Sequence, residues 1–484
     1  MFGAPALEIA VVLLGISVLL VEAFVPSADK RRLALAGIVG LVLILIGSFL
    51  VTPNTATAEA TGFWSFYAAD PLAIFFKRFA LVTTILVLVM MIEYAPIIRQ
   101  SIHGITEQAG LGEFFVLPIF TCAGLMWMAS AIDFVMIFVS LELVTMSFYV
   151  LVAFTRRNPL TLEAGVKYLI LSALSTGFLV YGITWLFGVT GETNLSRIAV
   201  ALGRPTTEHA PALFGMVLVL VALGFKIAAV PFQIWIPDVY QGAPTPVTAF
   251  LSVGSKAAGF VVLLRVLSVF FVLPQMQRVL VAIAIATLIY GNLAALPQTN
   301  LKRLLAYSSI AHAGYLLIGV VSLSGSAVTF YLVSYLLMTL LSFAVLIVVA
   351  NSAGDEIRDF DGLSQRSPFL AFAMMIAMVS LAGVPFTAGF FGKFMIFDAA
   401  IRQGQTALVV TGVVTVACGF YYYLKVVRAM YWEAPRVNTV MLPGSQLSRA
   451  TIAALVVAIV GLGVYPQPIL RAAQSQSSYA AATR

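Results

Sequence analysis

Long uninterrupted apolar runs limit what this chain can fold into more than any other feature. About fourteen of them recur along its 484 residues, separated by short polar stretches. A helix needs about 20 apolar residues to cross the hydrocarbon core of a bilayer. The runs fall at 6–25, 33–51, 72–96, 113–130, 133–154, 161–188, 211–230, 245–273, 277–296, 302–322, 325–350, 367–401, 406–430 and 448–465. Strands of a membrane barrel would alternate apolar and polar residues, and "LALAGIVGLVLILIGSFLV" (33–51) does not. Composition agrees, since 61% of residues are hydrophobic and 10% are charged, against about 25% charged in soluble domains. The expected fold is an all-α polytopic membrane protein of about fourteen transmembrane helices. The first run carries Glu8 and Glu22 and lacks a basic leader, so it reads as a spanning helix rather than a signal peptide. Segment 192–203 reads as a short surface helix, and the remaining loops are too short for a soluble catalytic domain.

Lys and Arg set the expected orientation. Lys30, Arg31 and Arg32, then Arg156 and Arg157, Lys302 and Arg303, Arg358 and Arg366, and Arg436 and Arg449 fall in loops after odd-numbered helices. Those loops are expected on the cytoplasmic side and both termini on the other. The net charge of +7 is therefore read as topology, with the lipid bilayer as a partner and no nucleic acid.

Two runs carry the same interruption. "AAVPF" (228–232) and "AGVPF" (382–386) lie 154 residues apart. Proline inside a helix removes a backbone hydrogen bond, and in lipid such a break must be buried in protein or line a wet cavity. Matched breaks predict two inverted five-helix repeats with helices 7 and 12 broken. The expected organisation is helices 1–3 over 1–112, a first repeat (helices 4–8) over 113–274, a second inverted repeat (helices 9–13) over 275–432, and helix 14 with a tail over 433–484.

Cys122 and Cys418 have no spacing suited to a disulfide framework, a zinc site or an iron–sulfur cluster, and no phosphate loop or dinucleotide fingerprint is present. No cofactor or metal is expected in this chain itself.

Ionisable residues inside the runs are the strongest functional signal. A charge at the bilayer centre costs about 2.5–3.5 kcal/mol on insertion scales. Only eight lysines are present, and Lys226, Lys256 and Lys393 lie within apolar helices. Glu142 is several residues from either end of its run. It reads as a member of a proton relay or as a structural carboxylate paired with a polar neighbour. Lys226 lies five residues before Pro231, and an ammonium near Glu142 would stabilise both charges. Lys256 lies about halfway across helix 8 among small residues that leave room for water or close helix contact. Snorkelling to the interface is the plainer alternative for both lysines, but neither lies near enough to a helix end for it. Lys393 follows the second break and would end the relay in the second repeat. His312, in "YSSIAHAGYLLIG", suits proton transfer, with a hydrogen-bonded core histidine as its plainer reading; His103 and His209 are expected in loops. Lys167 is expected to pair with Glu163 one turn earlier, and is also a candidate relay member. Lys77 and Arg78 are expected to snorkel, and Asp398 to pair with Arg402.

"GFKIAAVPFQIWIPDVYQGAPTPVTAFLSVGSKAAGF" (224–260), "NLKRLLAYSSIAHAGYLLIG" (300–319) and "GLSQRSP…SLAGVPFTAGFFGKF" (362–394) together resemble the antiporter-like subunits of respiratory complex I, the NADH–quinone oxidoreductase. Lysine at 393 is similar to the N and L branches of that family and unlike the M branch. The short stretch after the last helix is unlike the L branch, which leaves the N branch.

The resemblance implies fourteen helices with two inverted repeats. It implies a Glu142–Lys226 pair, a central Lys256 and a terminal Lys393, with a proton passing by way of His312. It also implies partners among the other membrane-arm subunits, and NADH, FMN, iron–sulfur clusters and quinone elsewhere in the complex. A bacterial inner membrane is the expected location. The alternatives are a subunit of a multi-subunit cation/proton antiporter, a membrane-bound hydrogenase subunit, or a scaffold whose buried charges only fix helix packing.

Overall fold

A computed structural model describes residues 5–25, 30–53, 65–102, 111–205, 207–351, 353–435 and 444–482. Long helices account for nearly all of them. They run α1 (Ala6–Phe24), α2 (Lys30–Ser48), α3 (Pro71–Ile102), α4 (Leu111–Ser130), α5 (Phe134–Val152), α6 (Pro159–Thr190), α7 (Leu195–Leu202), α8 (His209–Ile227), α9 (Ile236–Gly242) and α10 (Thr245–Phe250). A π-helical turn, Leu251–Ser255, follows, and then α11 (Lys256–Phe270), α12 (Pro274–Ala295), α13 (Leu301–Val321) and α14 (Gly325–Ala350). The chain closes with α15 (Leu363–Arg366), α16 (Pro368–Ala382), α17 (Ala388–Arg402), α18 (Thr406–Trp432), α19 (Gln446–Val464) and α20 (Gln467–Ala482). Among the described residues, β pairing is confined to isolated bridges such as Tyr67–Ala131 and Asn300–Glu356.

Thirteen spans among the described residues are long and apolar enough to cross a membrane, by length and composition. The remaining expected helix, the twelfth (367–401), is present as two shorter pieces, α16 and α17, on either side of Pro385. Helix ends fall where their sequences supply caps. Asp133 accepts from the Val135 amide at the start of α5, Asn158 and Pro159 open α6, and Asn300 accepts from the Arg303 amide at the start of α13. Gly191 ends α6 in the left-handed conformation, the usual glycine stop.

The chain forms two compact units. Unit 1 holds 1–88, 101–227 and 254–280. Within it α6 packs on α8, α4 on α5, α1 on α4, and α11 on α4, α7 and α8. Unit 2 holds 89–100, 228–253 and 281–484. There α14 is nearly encased, packing against α10, α13, α16, α17, α19 and α20. Helices such as α1, α2 and α6 keep broad apolar faces outward, as lipid contact requires.

Several charges differ from the sequence expectation. Lys77 does not snorkel; it is buried and paired with Glu8 at 2.8 Å. Lys302 is buried in the first turn of α13, where its ammonium donates to the Ala243 carbonyl at 3.2 Å. His209 opens α8 rather than lying in a loop, and His103 and Arg436 fall outside the described residues. Run 245–273 is divided by the π turn, and α20 was not expected at all.

Candidate functional site

The candidate residues in unit 1 come from α5, α6, α8 and α11. Glu142 on α5 is half-buried and accepts a hydrogen bond from Thr176 Oγ1 of α6 at 2.6 Å. Lys226 is buried in the last turn of α8 and donates to Thr145 Oγ1 of α5 at 2.5 Å. Among the described residues no ion pair joins Glu142 to Lys226; the two interact electrostatically while each is held by its own threonine. The hydroxyls stand where they do because Thr145 lies three residues after Glu142, on the same face of α5. Each charge thus keeps a neutral partner that can be given up without stranding the other charge.

Lys256 is the first residue of α11 and is 1% exposed. The π turn immediately before it widens the helix at that point, a distortion often found at functional sites. Three residues further on, α11 approaches α8 so closely at Gly259 that a Cβ there would stand 2.9 Å from Ile227 Cγ2 and 3.4 Å from Lys226 Cβ. Lys256 and Gly259 share a helix face, so the Lys256 side chain starts within about one turn of the contact with Lys226. Lys167 pairs with Glu163 at 2.6 Å on the half-exposed side of α6.

In unit 2 the second break builds a different site. α16 ends at Ala382, Gly383 takes a left-handed φ of 92°, and α17 starts at Ala388. Interrupting the helix frees the last carbonyls of α16, which carry the negative end of the helix dipole. Lys393 of α17 reaches back to them, donating to Leu381 O at 2.9 Å and Ala382 O at 2.8 Å. Its ammonium also lies over the Tyr315 ring, 5.0 Å from the centroid. Asp398 and Arg402 pair at 2.8 Å on the exposed face of the same helix.

His312 lies in a set of tyrosines drawn from four helices, α9, α13, α14 and α18. Its Nδ1 hydrogen-bonds Tyr331 Oη at 2.7 Å and its Nε2 hydrogen-bonds Tyr423 Oη at 3.1 Å. Tyr423 also bonds Ser308, while Tyr335 and Tyr240 both reach Ser309, at 3.0 and 3.2 Å. Tyr315 joins Thr415 at 3.2 Å. Both ring nitrogens are therefore engaged by hydroxyls that donate and accept alike, the requirement for passing a proton through an imidazole without turning it. Tyr331, Tyr335 and Tyr423 were missed from the sequence; the i, i+4 spacing of Tyr331 and Tyr335 in an otherwise apolar run was the signal available. Among the described residues, no three of His, Cys, Asp and Glu gather as metal ligands.

Buried lysines, two of them beside helix breaks, on a frame of membrane-spanning helices define the class of antiporter-like membrane subunits. The family model described as "NADH:quinone oxidoreductase/Mrp antiporter, TM" matches residues 131–419. NADH-quinone oxidoreductase subunit N of Trichlorobacter lovleyi is 39% identical, covering 96% of this chain and 95% of that protein. Its counterpart in Desulforamulus reducens is 38% identical, covering 98% and 97%. A chain of respiratory complex I from Thermus thermophilus, solved with bound aureothin, superposes with a TM-score of 0.81 at 33% identity, covering 96% of this chain and 98% of that one. A chain of the Mrp complex from a Dietzia species shares the fold alone, with a TM-score of 0.82 at 20% identity. The chain belongs to the NADH-quinone oxidoreductase subunit N family.

Proposed function

We propose that this chain translocates protons as a membrane-arm subunit of a bacterial NADH–quinone oxidoreductase, along Glu142, Lys226, Lys256, His312 and Lys393. The observation that carries the reading is the placement of Lys226, Lys256 and Lys393, all buried and each beside an irregularity in its own helix. Quinone reduction, with the NADH, FMN and iron–sulfur clusters that feed it, belongs in this reading to companion subunits. Glu142 is the most exposed of the five, and in this reading it responds to a charge change in a neighbouring subunit. Its departure from Lys226, or return to it, alters the local field and with it how firmly Lys256 holds its proton. The proton then continues by way of His312 to Lys393, the second repeat supplying the latter half of the path. Moving one charge across the membrane costs about 2.3 kcal/mol per 100 mV, an amount that making or breaking an ion pair at low dielectric can match.

The two curated relatives named above are both subunits N, which favours the respiratory complex over a cation/proton antiporter or a hydrogenase. The first test is the native mass of the mildly solubilised protein with an in-gel NADH dehydrogenase stain. A stained band of several hundred kilodaltons is expected; a large unstained band would move the assignment to the antiporter or hydrogenase assemblies. Lys256→Ala in the assembled complex is then expected to reduce proton translocation by about tenfold or more. Undiminished pumping by an assembled Lys256→Ala complex would leave only the scaffold reading.

A further inference from the structure

Unit 1 contains a second group of buried charges that the proposed axis does not use. Glu8 stands in the first turn of α1 and is fully buried. Lys77 of α3 pairs with its Oε1 at 2.8 Å. Tyr67 donates to the same oxygen at 3.1 Å while accepting from Lys77 at 2.6 Å, and Ser130, the last residue of α4, donates to it at 3.4 Å. All three donors therefore converge on Oε1. Oε2 is equally buried and has no hydrogen-bond partner among the described residues.

A second pair adjoins the first. Arg265 of α11 grips Asp70 with two nitrogens at 3.1 and 2.9 Å, and donates to Ala129 O at 2.8 and 2.5 Å. Burial pushes the Asp70 carboxyl up, but the charge and hydrogen bonds of Arg265, the Ala73 amide and the Lys77 charge together hold it below its ordinary range. The two pairs are tied through the chain itself, since Ala129 precedes Ser130 and Tyr67 is three residues before Asp70. Arg265 follows Lys256 by nine residues on α11, about 14 Å along the axis. Glu8, Ser130 and Arg265 belong to the ends of α1, α4 and α11 on the face that the Lys and Arg distribution turns away from the cytoplasm.

The cluster is neutral as two balanced pairs, so one added proton changes its charge. If its only task were to join helices, apolar side chains of similar size would serve as well or better. A buried carboxylate oxygen without a donor would then be a pure penalty. The same oxygen is where a proton can be taken up while all three donors remain on Oε1.

We propose that Glu8, held by Lys77, Tyr67 and Ser130, is a proton-holding site at this membrane face, serving the helix that carries Lys256. It rests on the proton-translocation reading given above. An arriving proton forms an O–H bond at Oε2 and neutralises Glu8, while Lys77 keeps all of its protons. On release the O–H bond breaks, the proton passes to water at the membrane face, and the carboxylate is restored.

The test uses the whole complex reconstituted in vesicles, with NADH oxidation and proton uptake followed together. Glu8→Gln keeps the shape and an acceptor for Lys77 but holds no exchangeable carboxyl proton. It is expected to assemble and to lose proton translocation by about tenfold, with Glu8→Asp recovering a substantial part. Glu8→Gln combined with Lys77→Met removes both charges together and is expected to be equally impaired, which separates loss of the carboxyl from stranding of the lysine. Wild-type translocation in either assembled variant overturns the proposal. Failure of both to assemble also overturns it, by making the cluster a packing device. Lys256→Met is measured alongside. Loss of pumping there, without loss in Glu8→Gln, defeats the Glu8 site alone; normal pumping there defeats the wider reading of the axis.

Discussion

Each of the two broken helices leaves a buried lysine beside its break, and the two lysines are held by different chemistry. Lys226 rests on the hydroxyl of Thr145, a side chain of another helix. Lys393 rests on two backbone carbonyls at the end of the half-helix preceding its own. A hydroxyl can rotate, accept or donate, and its partner can leave at the cost of one hydrogen bond. Carbonyls at a helix end are fixed in place and carry the dipole with them. The first lysine's partner is one that can be exchanged, and the second's partners are fixed in position. The proton pathway proposed above would call on both kinds of hold.

Lys393→Met tests this contrast most severely. It leaves two helix-end carbonyls without a donor, at about 1–3 kcal/mol each if they stay dry. Thermal unfolding in detergent should show the lost stability, and vesicle assays should show the loss of most proton translocation. If Lys393→Met is as stable as the parent, the carbonyls are not what holds the lysine.

Thr145→Val is expected to be milder. It removes one neutral hydrogen bond from a charged group, a few-fold change in rate with normal assembly. A double-mutant cycle with Glu142→Gln sharpens the point. Coupling above about 0.5 kcal/mol is expected, because Lys226 without its threonine turns to the glutamate. Strictly additive effects would mean that Thr145 and Glu142 do not compete for the same ammonium.

The smallest effects concern the residues just past the two half-helices. Both take left-handed backbone, Ala228 with φ of 68° and Gly383 with φ of 92°. Ala228→Gly should stabilise the protein by up to about 1 kcal/mol by removing the Cβ penalty. Gly383→Ala should destabilise it by a similar amount and disturb Lys393, whose Cδ would lie 3.0 Å from the new Cβ. Equal signs for the two substitutions in thermal unfolding would erase the distinction drawn between the breaks.

Much of the frame was legible in the residues. The run 325–350 coincides with α14 (Gly325–Ala350), and both proline breaks are where the repeated motif put them. Apolar periodicity and proline act locally, so a linear reading captures them. Partner choice was not legible. Lys77, near the start of its helix, has the profile of a snorkelling residue, and nothing nearby in sequence points to Glu8, 69 positions away. The tyrosines around His312 come from α9, α14 and α18 as well as α13, so no single window contains them. Thr145 and Thr176 are ordinary in composition and matter only because of the helices that α5 faces.

The π turn at Leu251–Ser255 carries one more residue than a regular helix would place in the same length. In the terms of a crystal it is a dislocation, a single extra residue set into an otherwise regular helix. Lys256 is the first residue beyond it. A glide that carried the fault past Lys256 would index the ammonium by one position, about 100° around the axis and about 1.5 Å along it. Lys256 therefore stands where a shift of one residue in the hydrogen-bond ladder would turn its side chain by the widest angle that a single step of a helix allows.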